Sequence, residues 1–345
     1  MIPHSRPTLD DRDAERVARV VRSGQVAQGP EVAAFERELA ARLGVKAAAA
    51  VSSGSAALEL ALGALGVAPG AEVLIPTYVC DALHHAVSRA GARPVLVDAD
   101  PATRSLSAVD AKRRRGPRTR AVIVPHAFGL AVDLRPFADL GLPVLEDCAQ
   151  ALGAAVGGRP AGGLGRLGVC SFYATKLLTT GEGGAVVGPA ELVRYVADRR
   201  DYDEREDLAP RVNAKLTDLQ AALGRSQLAR FDEFVARRRA IAARYRRRLA
   251  GLPCRPPEDA GERHVYHRFV VAVERPLAGI IARLEARGVA ARRPVFRPIH
   301  RALGLGGYPE ADRLWERLLS LPCYPSLADE EVDAVVAALA EALGQ

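Results

Sequence analysis

From residue 47 onward, short and nearly unbroken apolar runs alternate with stretches whose apolar residues recur with helical spacing. The runs AAAAVSS (47–53), EVLIP (72–76), RPVLVD (93–98), RAVIVP (120–125), PVLED (143–147), GVCSFY (168–173) and GAVVG (184–188) predict strands. They are continuous rather than alternating, as burial on both faces of a largely parallel sheet requires. SAALELALGALG and DALHHAVSRAG between them predict helices, so the class is α/β. After GEGGAVVG the pattern changes. LVRYVADRR leads into the charged stretch DYDERED, read as a mobile loop, and one long helical tract follows from about Thr217 through Arg248. GLPCRPPEDAGERH has the Pro and Gly punctuation of a linker. Beyond it HRFVVAVE predicts a strand, LAGIIARLEARG a helix and DEEVDAVVAALAEAL a closing amphipathic helix. The expected organisation is a large domain over residues 1–240 and a smaller α+β domain over 241–345.

Composition narrows the setting. Hydrophobic content of 49% and charged content of 26% suit a soluble globular chain. No apolar run is long enough to cross a membrane, and the N-terminal MIPHSRPTLDDRDAERVARV is charged where a signal peptide needs an apolar centre, so a cytoplasmic protein without a membrane partner is expected. Cys80, Cys148, Cys170, Cys254 and Cys323 are odd in number and scattered, which suggests neither a disulfide framework nor a zinc site. The net charge is +7, but the basic residues lie throughout the chain. The densest run, KRRRGPRTR at 112–120, reads as a helix end and turn before a strand, so no nucleic-acid partner is expected.

Arginine has taken almost every cationic position; lysine occurs only at Lys46, Lys112, Lys176 and Lys215. Lys176 lies in SFYATKLLTTGEGG, residues 171–184, beside a Gly-rich stretch read as flexible. A desolvated lysine amine can lose its proton and act as a nucleophile, which a guanidinium cannot. Two further features sit at the C-terminal ends of expected strands, where open α/β sheets place their sites. In SSGSAAL (52–58), Gly54 allows close approach of the backbone, and the free N–H groups of Ser55 and Ala56 at a helix start suit a phosphate. An N-cap serine explains the same letters. In PVLEDCAQ (143–150), Glu146 and Asp147 end an apolar strand, where a carboxylate is costly unless it meets a cation or a metal. Capping of the next helix explains Asp147 equally, and no metal-site spacing is nearby, so no metal is expected. Together, a phosphate cradle, a strand-end carboxylate and a retained lysine are what pyridoxal phosphate needs: an anchor for its phosphate, a partner for its ring nitrogen and an amine for the Schiff base.

The chain resembles the DegT/DnrJ/EryC1/StrS sugar aminotransferases, which have the fold type I architecture of the aspartate aminotransferase superfamily. The resemblance runs through SGQVAQGPEVAAFERELAARLGV, SSGSAAL, VLIPTYVCDALHHAV, PVLVDAD, VIVPHAFG, LEDCAQALGA, SFYATK, GEGGAVV, NAKLTDLQAALGRSQL and LLSLPCYPSL, in order. It implies a mixed, mostly parallel sheet flanked by helices. It also implies that Lys176 forms the Schiff base, that Asp147 pairs with the pyridine nitrogen and that Gln150 lies by the ring. Gly54, Ser55 and Ser171 are expected to hold the phosphate, and Asn213 to reach the phosphate bound by a neighbouring subunit, which makes the protein a homodimer with shared active sites. The family's ring-stacking aromatic is replaced here. Cys80 takes its position in IPTYVCDALHH, and Tyr78 or His84 are the other candidates.

The resemblance further implies ping-pong transfer of an amino group from an amino acid, glutamate foremost, to a keto group on a nucleotide-linked sugar or an aminocyclitol. Arg292, Arg293 and Arg297 in ARRPVFRPIH fit either a diphosphate or the donor carboxylate, and fit a solvated basic loop as well. Two rivals stand: a dehydratase or deoxygenase, against which Lys176 argues, and a non-catalytic regulatory homologue, against which Lys176 and Asp147 together argue. GLGRLG (163–168) satisfies GxGxxG but leads into a strand instead of a helix, so no dinucleotide site is expected. His84, His85, His264 and His267 read as surface or satisfied core residues, and His126 as a group near the cofactor.

Overall fold

The seven apolar runs form one sheet in a computed structural model that describes residues 1–344. Its strands are β1 (Ala47–Val51), β2 (Glu72–Pro76), β3 (Arg93–Val97), β4 (Thr119–Pro125) and β5 (Val144–Asp147). A two-stranded hairpin follows, β6 (Ala155–Val156) with β7 (Arg159–Pro160), and the sheet is completed by β8 (Leu167–Ser171) and β9 (Gly184–Gly188). The order across the sheet is β1-β9-β8-β5-β4-β2-β3. Only β9 runs against its neighbours, lying antiparallel to both β1 and β8. The C-terminal ends of β1, β8 and β5 and the start of β9 therefore meet along one edge. Val51 and Ser171 are both in register with Gly184, so the chain there is a continuous rim.

Helices cover both faces. Gly54–Ala64 packs on β8 and β9, and on the other side Pro30–Leu43 contributes Phe35, whose ring meets Phe172 edge-on at 5.2 Å between centroids. The C-terminal part carries a second, antiparallel sheet of β10 (Cys254–Arg255), β11 (Phe269–Val273) and β12 (Leu318–Leu321).

The tract read as one helix from Thr217 to Arg248 is two, Asp218–Ala229 and Phe231–Arg248. The break falls at Arg230, whose buried guanidinium is drawn to Asp10 and Asp13 at the start of the helix Asp11–Ser23. The second helix joins two cores. Phe231, Phe234 and Val235 pack with Phe35 and Phe172 beneath the large sheet, while Ile241, Ala242 and Tyr245 pack against the small one, Tyr245 stacking on Phe269 at 4.7 Å. Among the described residues no helix is long and apolar enough to cross a membrane.

Candidate active site

The rim of the large sheet gathers the residues singled out above. At the end of β1, Ser53 caps the helix that follows: its Oγ accepts the Ala56 N–H at 3.1 Å and its carbonyl accepts the Ala57 N–H at 3.0 Å. The N–H groups of Gly54 and Ser55 are left at the positive end of the helix dipole, facing out of the turn. Gly54 is there for space. A Cβ on it would come 2.8 Å from Ser171 Cβ, so these two residues, far apart in sequence, close one cradle. The N-cap reading and the phosphate reading of SSGSAAL are thus compatible: the cap uses Ala56 N–H, and the remaining donors stay free.

Lys176 hangs from the loop that leaves β8. Phe172 anchors this loop, its N–H donating to the Gly183 carbonyl at 2.8 Å and its carbonyl accepting the Thr180 N–H at 2.9 Å. The GEGG stretch, read as flexible, is tied down: Thr180 Oγ1 donates to the Glu182 carbonyl at 2.5 Å, and Gln220 Nε2 donates to the same oxygen at 2.9 Å. Gly181 sits at φ 80°, a left-handed turn that favours glycine. Burial pushes the Lys176 amine down; Asp147 and Cys80 oppose this, and the Arg268 guanidinium adds to it. Asp147 is buried, and burial raises its carboxyl against the opposing pull of the Ala149 N–H, Lys176 and His126. Its Oδ1 accepts the Ala149 N–H at 3.0 Å, and no cation is bonded to the carboxylate among the described residues. Cys80 opens into the site, and its thiol is pushed up first by burial and then by Asp147. Of the ring-facing candidates, it is Cys80 whose side chain shares the field of Asp147 and Lys176. Tyr78 is buried edge-on to Phe128 at 6.3 Å, and His84 packs edge-on to His85. The Gln150 side chain accepts the Phe128 N–H at 2.8 Å, which fixes the Phe128–Gly129 turn beside it.

Glu146, adjacent to Asp147, has a different task. Its carboxylate accepts N–H bonds from Gly162 at 2.8 Å, Leu164 at 2.7 Å and Gly165 at 2.6 Å, and lies 2.9 Å from His126 Nε2. The GLGRLG stretch is therefore an anion nest filled by the protein's own glutamate. The Val132 N–H donates to His126 Nδ1 at 2.9 Å, so Nε2 is the nitrogen that donates to Glu146. His126, Glu146 and Cys148 lie close enough to hold a metal ion, but both imidazole nitrogens and both carboxylate oxygens are already bonded, which removes the lone pairs a metal needs. Although burial raises the Glu146 carboxyl, the bonds from His126, Gly162 and Gly165 win and hold it below its ordinary value of 4.5. A depressed carboxyl stabilises fully above its unfolded value and ceases to as pH falls through its folded one. Part of the wild-type stability is therefore expected to disappear as pH falls from about 4.5 through the lower folded value, and Glu146→Ala, which strands those buried N–H groups, is expected to cost roughly 3 kcal/mol or more in urea titrations at neutral pH. An unchanged urea midpoint would remove this account of the loop.

A cavity of about 960 Å³ opens beside Lys176, walled by Thr175, His267, Arg268, Arg292, Arg293 and Arg297 together with Trp315 and His4. No carboxylate lines it among the described residues. Arg293 is held by the Trp315 carbonyl at 3.1 Å and lies over that indole, 4.2 Å from the ring centre. A second cleft of about 530 Å³ joins Ser53, Ser55 and Ala56 to Asn213, which is exposed. In the charged stretch 201–207, Lys215 is paired with Asp201 at 2.6 Å and with Asp203 at 2.8 Å.

The sequence reading missed Arg268 and misjudged His267. His264 is a satisfied core residue, its Nδ1 accepting the Tyr266 N–H at 3.0 Å. His267 is buried too, but its Nδ1 has no partner and it faces the cavity. The one available signal was a cation opening the apolar strand HRFVVAVE, and nothing in that pattern says what it faces.

The residues present fit pyridoxal phosphate on structural grounds: a glycine-spaced cradle with free N–H donors, a buried carboxylate lacking a cation and a lysine amine biased toward its neutral form. Comparisons with known proteins agree. Residues 7–340 match the model of the DegT/DnrJ/EryC1/StrS aminotransferase family. The chain is 33% identical over 361 residues to GDP-perosamine synthase of Vibrio cholerae, covering 97% of each protein. It is 37% identical over 347 residues to dTDP-3-amino-3,4,6-trideoxy-alpha-D-glucose transaminase of Streptomyces venezuelae, covering 94% of this chain and 90% of that one. The solved structure of the sugar aminotransferase Spr1654 from Streptococcus pneumoniae in its PLP form superposes with a TM-score of 0.94 at 26% identity, over 99% of this chain and 98% of that one.

Proposed function

The chain belongs to the DegT/DnrJ/EryC1/StrS aminotransferase family, and from that premise we propose that this pyridoxal-phosphate-dependent enzyme moves an amino group from glutamate to the keto group of a nucleotide-linked sugar. The observation that carries the reading is the single rim on which Gly54, Ser171, Asp147 and Lys176 converge, with the lysine amine held down by burial.

Pyridoxal phosphate supplies an aldehyde that condenses with amines and a ring that accepts the electron pair left when a proton departs the adjoining carbon. The rest falls to the chain. Gly54 and Ser55, with Ser171, would hold the phosphate at the helix N-terminus, the expected Ala56 N–H being taken instead by the Ser53 cap. Asp147 would pair with the ring nitrogen and keep its proton in place, which would also give the buried carboxylate the cation it lacks. Gln150 would border the ring, and Cys80 would take the place of the aromatic residue that the family resemblance leads one to expect against it. The Lys176 amine, biased toward its neutral form by burial, would take the proton from the donor's α-carbon and deliver it to the carbon on the other side of the shared nitrogen.

The transfer is two-stage: glutamate enters and leaves as its keto acid, and the sugar ketone then takes up the amine at the same place. Arg292, Arg293 and Arg297 meet the diphosphate of the sugar nucleotide, since guanidinium forks match phosphate oxygens and no carboxylate competes for them. Asn213, exposed beside Ser55 and Ala56, suits a contact with the phosphate bound by a second subunit in a homodimer. A catalytically competent monomer in sedimentation would overturn the dimer. The dehydratase and regulator readings gain nothing from a lysine poised as a base.

The decisive experiment is a visible spectrum of the protein loaded with pyridoxal phosphate, before and after glutamate. An absorption band that bleaches with glutamate and returns with the keto acid is expected. A loaded protein whose band ignores glutamate and every other amino acid would sink the proposal.

A further inference from the structure

Arg268 is a charge without a counter-charge. It lies immediately before β11, its Nε is buried with no hydrogen-bond partner, and it forms no ion pair among the described residues. Its nearest polar neighbour is a histidine: Nη1 is 3.3 Å from His4 Nε2 and 3.4 Å from His4 Nδ1. Burial, aided by Arg268 and Arg292, lowers His4 to about 3, so it is neutral and brings no charge of its own. Its Nε2 lies 2.9 Å from Ser320 Oγ on β12. The N-terminal segment that carries His4 is pinned in place, Ile2 N–H donating to the Gly288 carbonyl at 2.7 Å and Ile2 carbonyl accepting the Ala290 N–H at 3.0 Å. The main chain of Arg268 is equally fixed. Its N–H donates to the Phe128 carbonyl at 3.1 Å, and the buried Arg238 donates to the carbonyls of Tyr266 at 3.1 Å, His267 at 3.3 Å and Cys323 at 2.6 Å. Two elements far apart in sequence thus hold one unpaired guanidinium at the wall of the cavity.

A partly buried cation set among other cations is costly unless an anion completes it. Here Arg292 stands nearby and no acidic residue lines the space. Position identifies the anion. Arg268 is close enough to Lys176 that its field reaches the amine, and close enough to Cys80 and Tyr78 that theirs reach it. The α-carboxylate of an amino acid is bonded to the carbon whose proton Lys176 must take. The diphosphate of a sugar nucleotide is separated from its keto carbon by much of the sugar ring, so it does not need the arginine beside the amine and is left to the other guanidinium groups that line the cavity, Arg292 and Arg297.

Resting on the aminotransferase reading, we propose that Arg268, oriented by His4, is the receptor for the α-carboxylate of the amino-acid donor, while Arg292 and Arg297 serve the diphosphate of the acceptor. Arg268 thereby sets which amine enters: an amine lacking the adjacent carboxylate leaves the guanidinium unpaired and is rejected. His4 is a positioning residue that acts through Arg268.

Binding can be read without turnover, because Trp315, the only tryptophan of the chain, lines this cavity. Its emission would be followed as the full-length protein, with and without pyridoxal phosphate, is titrated with glutarate and separately with inorganic pyrophosphate. The proposal expects saturable glutarate binding that weakens about tenfold or more in Arg268→Met and is largely recovered in Arg268→Lys, with pyrophosphate changed less than about threefold. Arg297→Met should show the opposite selectivity. His4→Ala should weaken glutarate in wild type and add nothing in the Arg268→Met background, a non-additivity that mere loss of folding stability would not produce. Glutarate binding unchanged in Arg268→Met, absent in wild type, or a loss confined to pyrophosphate would each overturn the assignment. A bleaching visible band with glutamate would leave the aminotransferase reading standing even then, so the two fail separately.

Discussion

Lys176→Ala is expected to lower the glutamate-dependent bleaching of the visible band by roughly 10⁴-fold or more, since one amine serves as both attachment point and proton carrier. Burial is what makes the residue usable: an exposed lysine stays charged at neutral pH and neither attacks nor accepts a proton, whereas this amine is pushed down by desolvation and by Arg268. Arginine in its place keeps a charge but cannot shed it, so Lys176→Arg should be as inactive as the alanine variant. Added small primary amines should restore part of the alanine variant's rate by reaching the vacated space, and should do nothing for the arginine variant, whose side chain fills it. Bleaching at the wild-type rate in Lys176→Ala would end the proposed mechanism.

The second large effect is expected at Asp147. Asp147→Asn should slow the same half-reaction by roughly 10²- to 10³-fold, the usual scale for removing one preorganised electrostatic partner of a developing charge. The substitution is conservative in every other respect. Asparagine can still accept the Ala149 N–H through its Oδ1, so the strand end and the turn after it keep their bond. What would be lost, on the proposed function, is the negative charge that would keep the ring nitrogen protonated, and with it the capacity of the ring to take up electrons. Pyridoxal phosphate should also bind more weakly, by a factor measurable in equilibrium dialysis. An unfolded Asp147→Asn protein is not expected, because burial already raises the cost of the carboxylate and the neutral amide relieves it. A variant with full rate and full cofactor affinity would show that the carboxylate is only a cap.

Much of this was legible in the chain because it is locally written. Unbroken apolar runs fixed the strands, since a strand covered on both faces has no polar position to spare. The lysine among arginines, the glycine before a helix start and the carboxylates after an apolar strand are each chemistry carried by a few adjacent residues. Family likeness, spread in order along the chain, then assigned their roles.

What the sequence left open depends on pairings between distant residues. The strand-end pair Glu146 and Asp147 looks alike in sequence, yet one fills a nest of N–H groups from residues 162–165 and the other faces the site without a cation. The helical periodicity across Arg230 runs on unbroken, and only Asp10 and Asp13, some 220 and 217 positions away, interrupt it. Cys80 reaches the field of Asp147 and Lys176 because β2 and β5 flank the same strand, β4. Arg268 was read as the start of a strand, and becomes a receptor because the N-terminus folds across to meet it. Hydrophobic periodicity and turn chemistry act over one or two turns of chain, so the sequence by itself determined the elements and the residue types on offer. Which charge is satisfied from within and which is left for a ligand was decided only when the order of strands in the sheet set distant segments side by side.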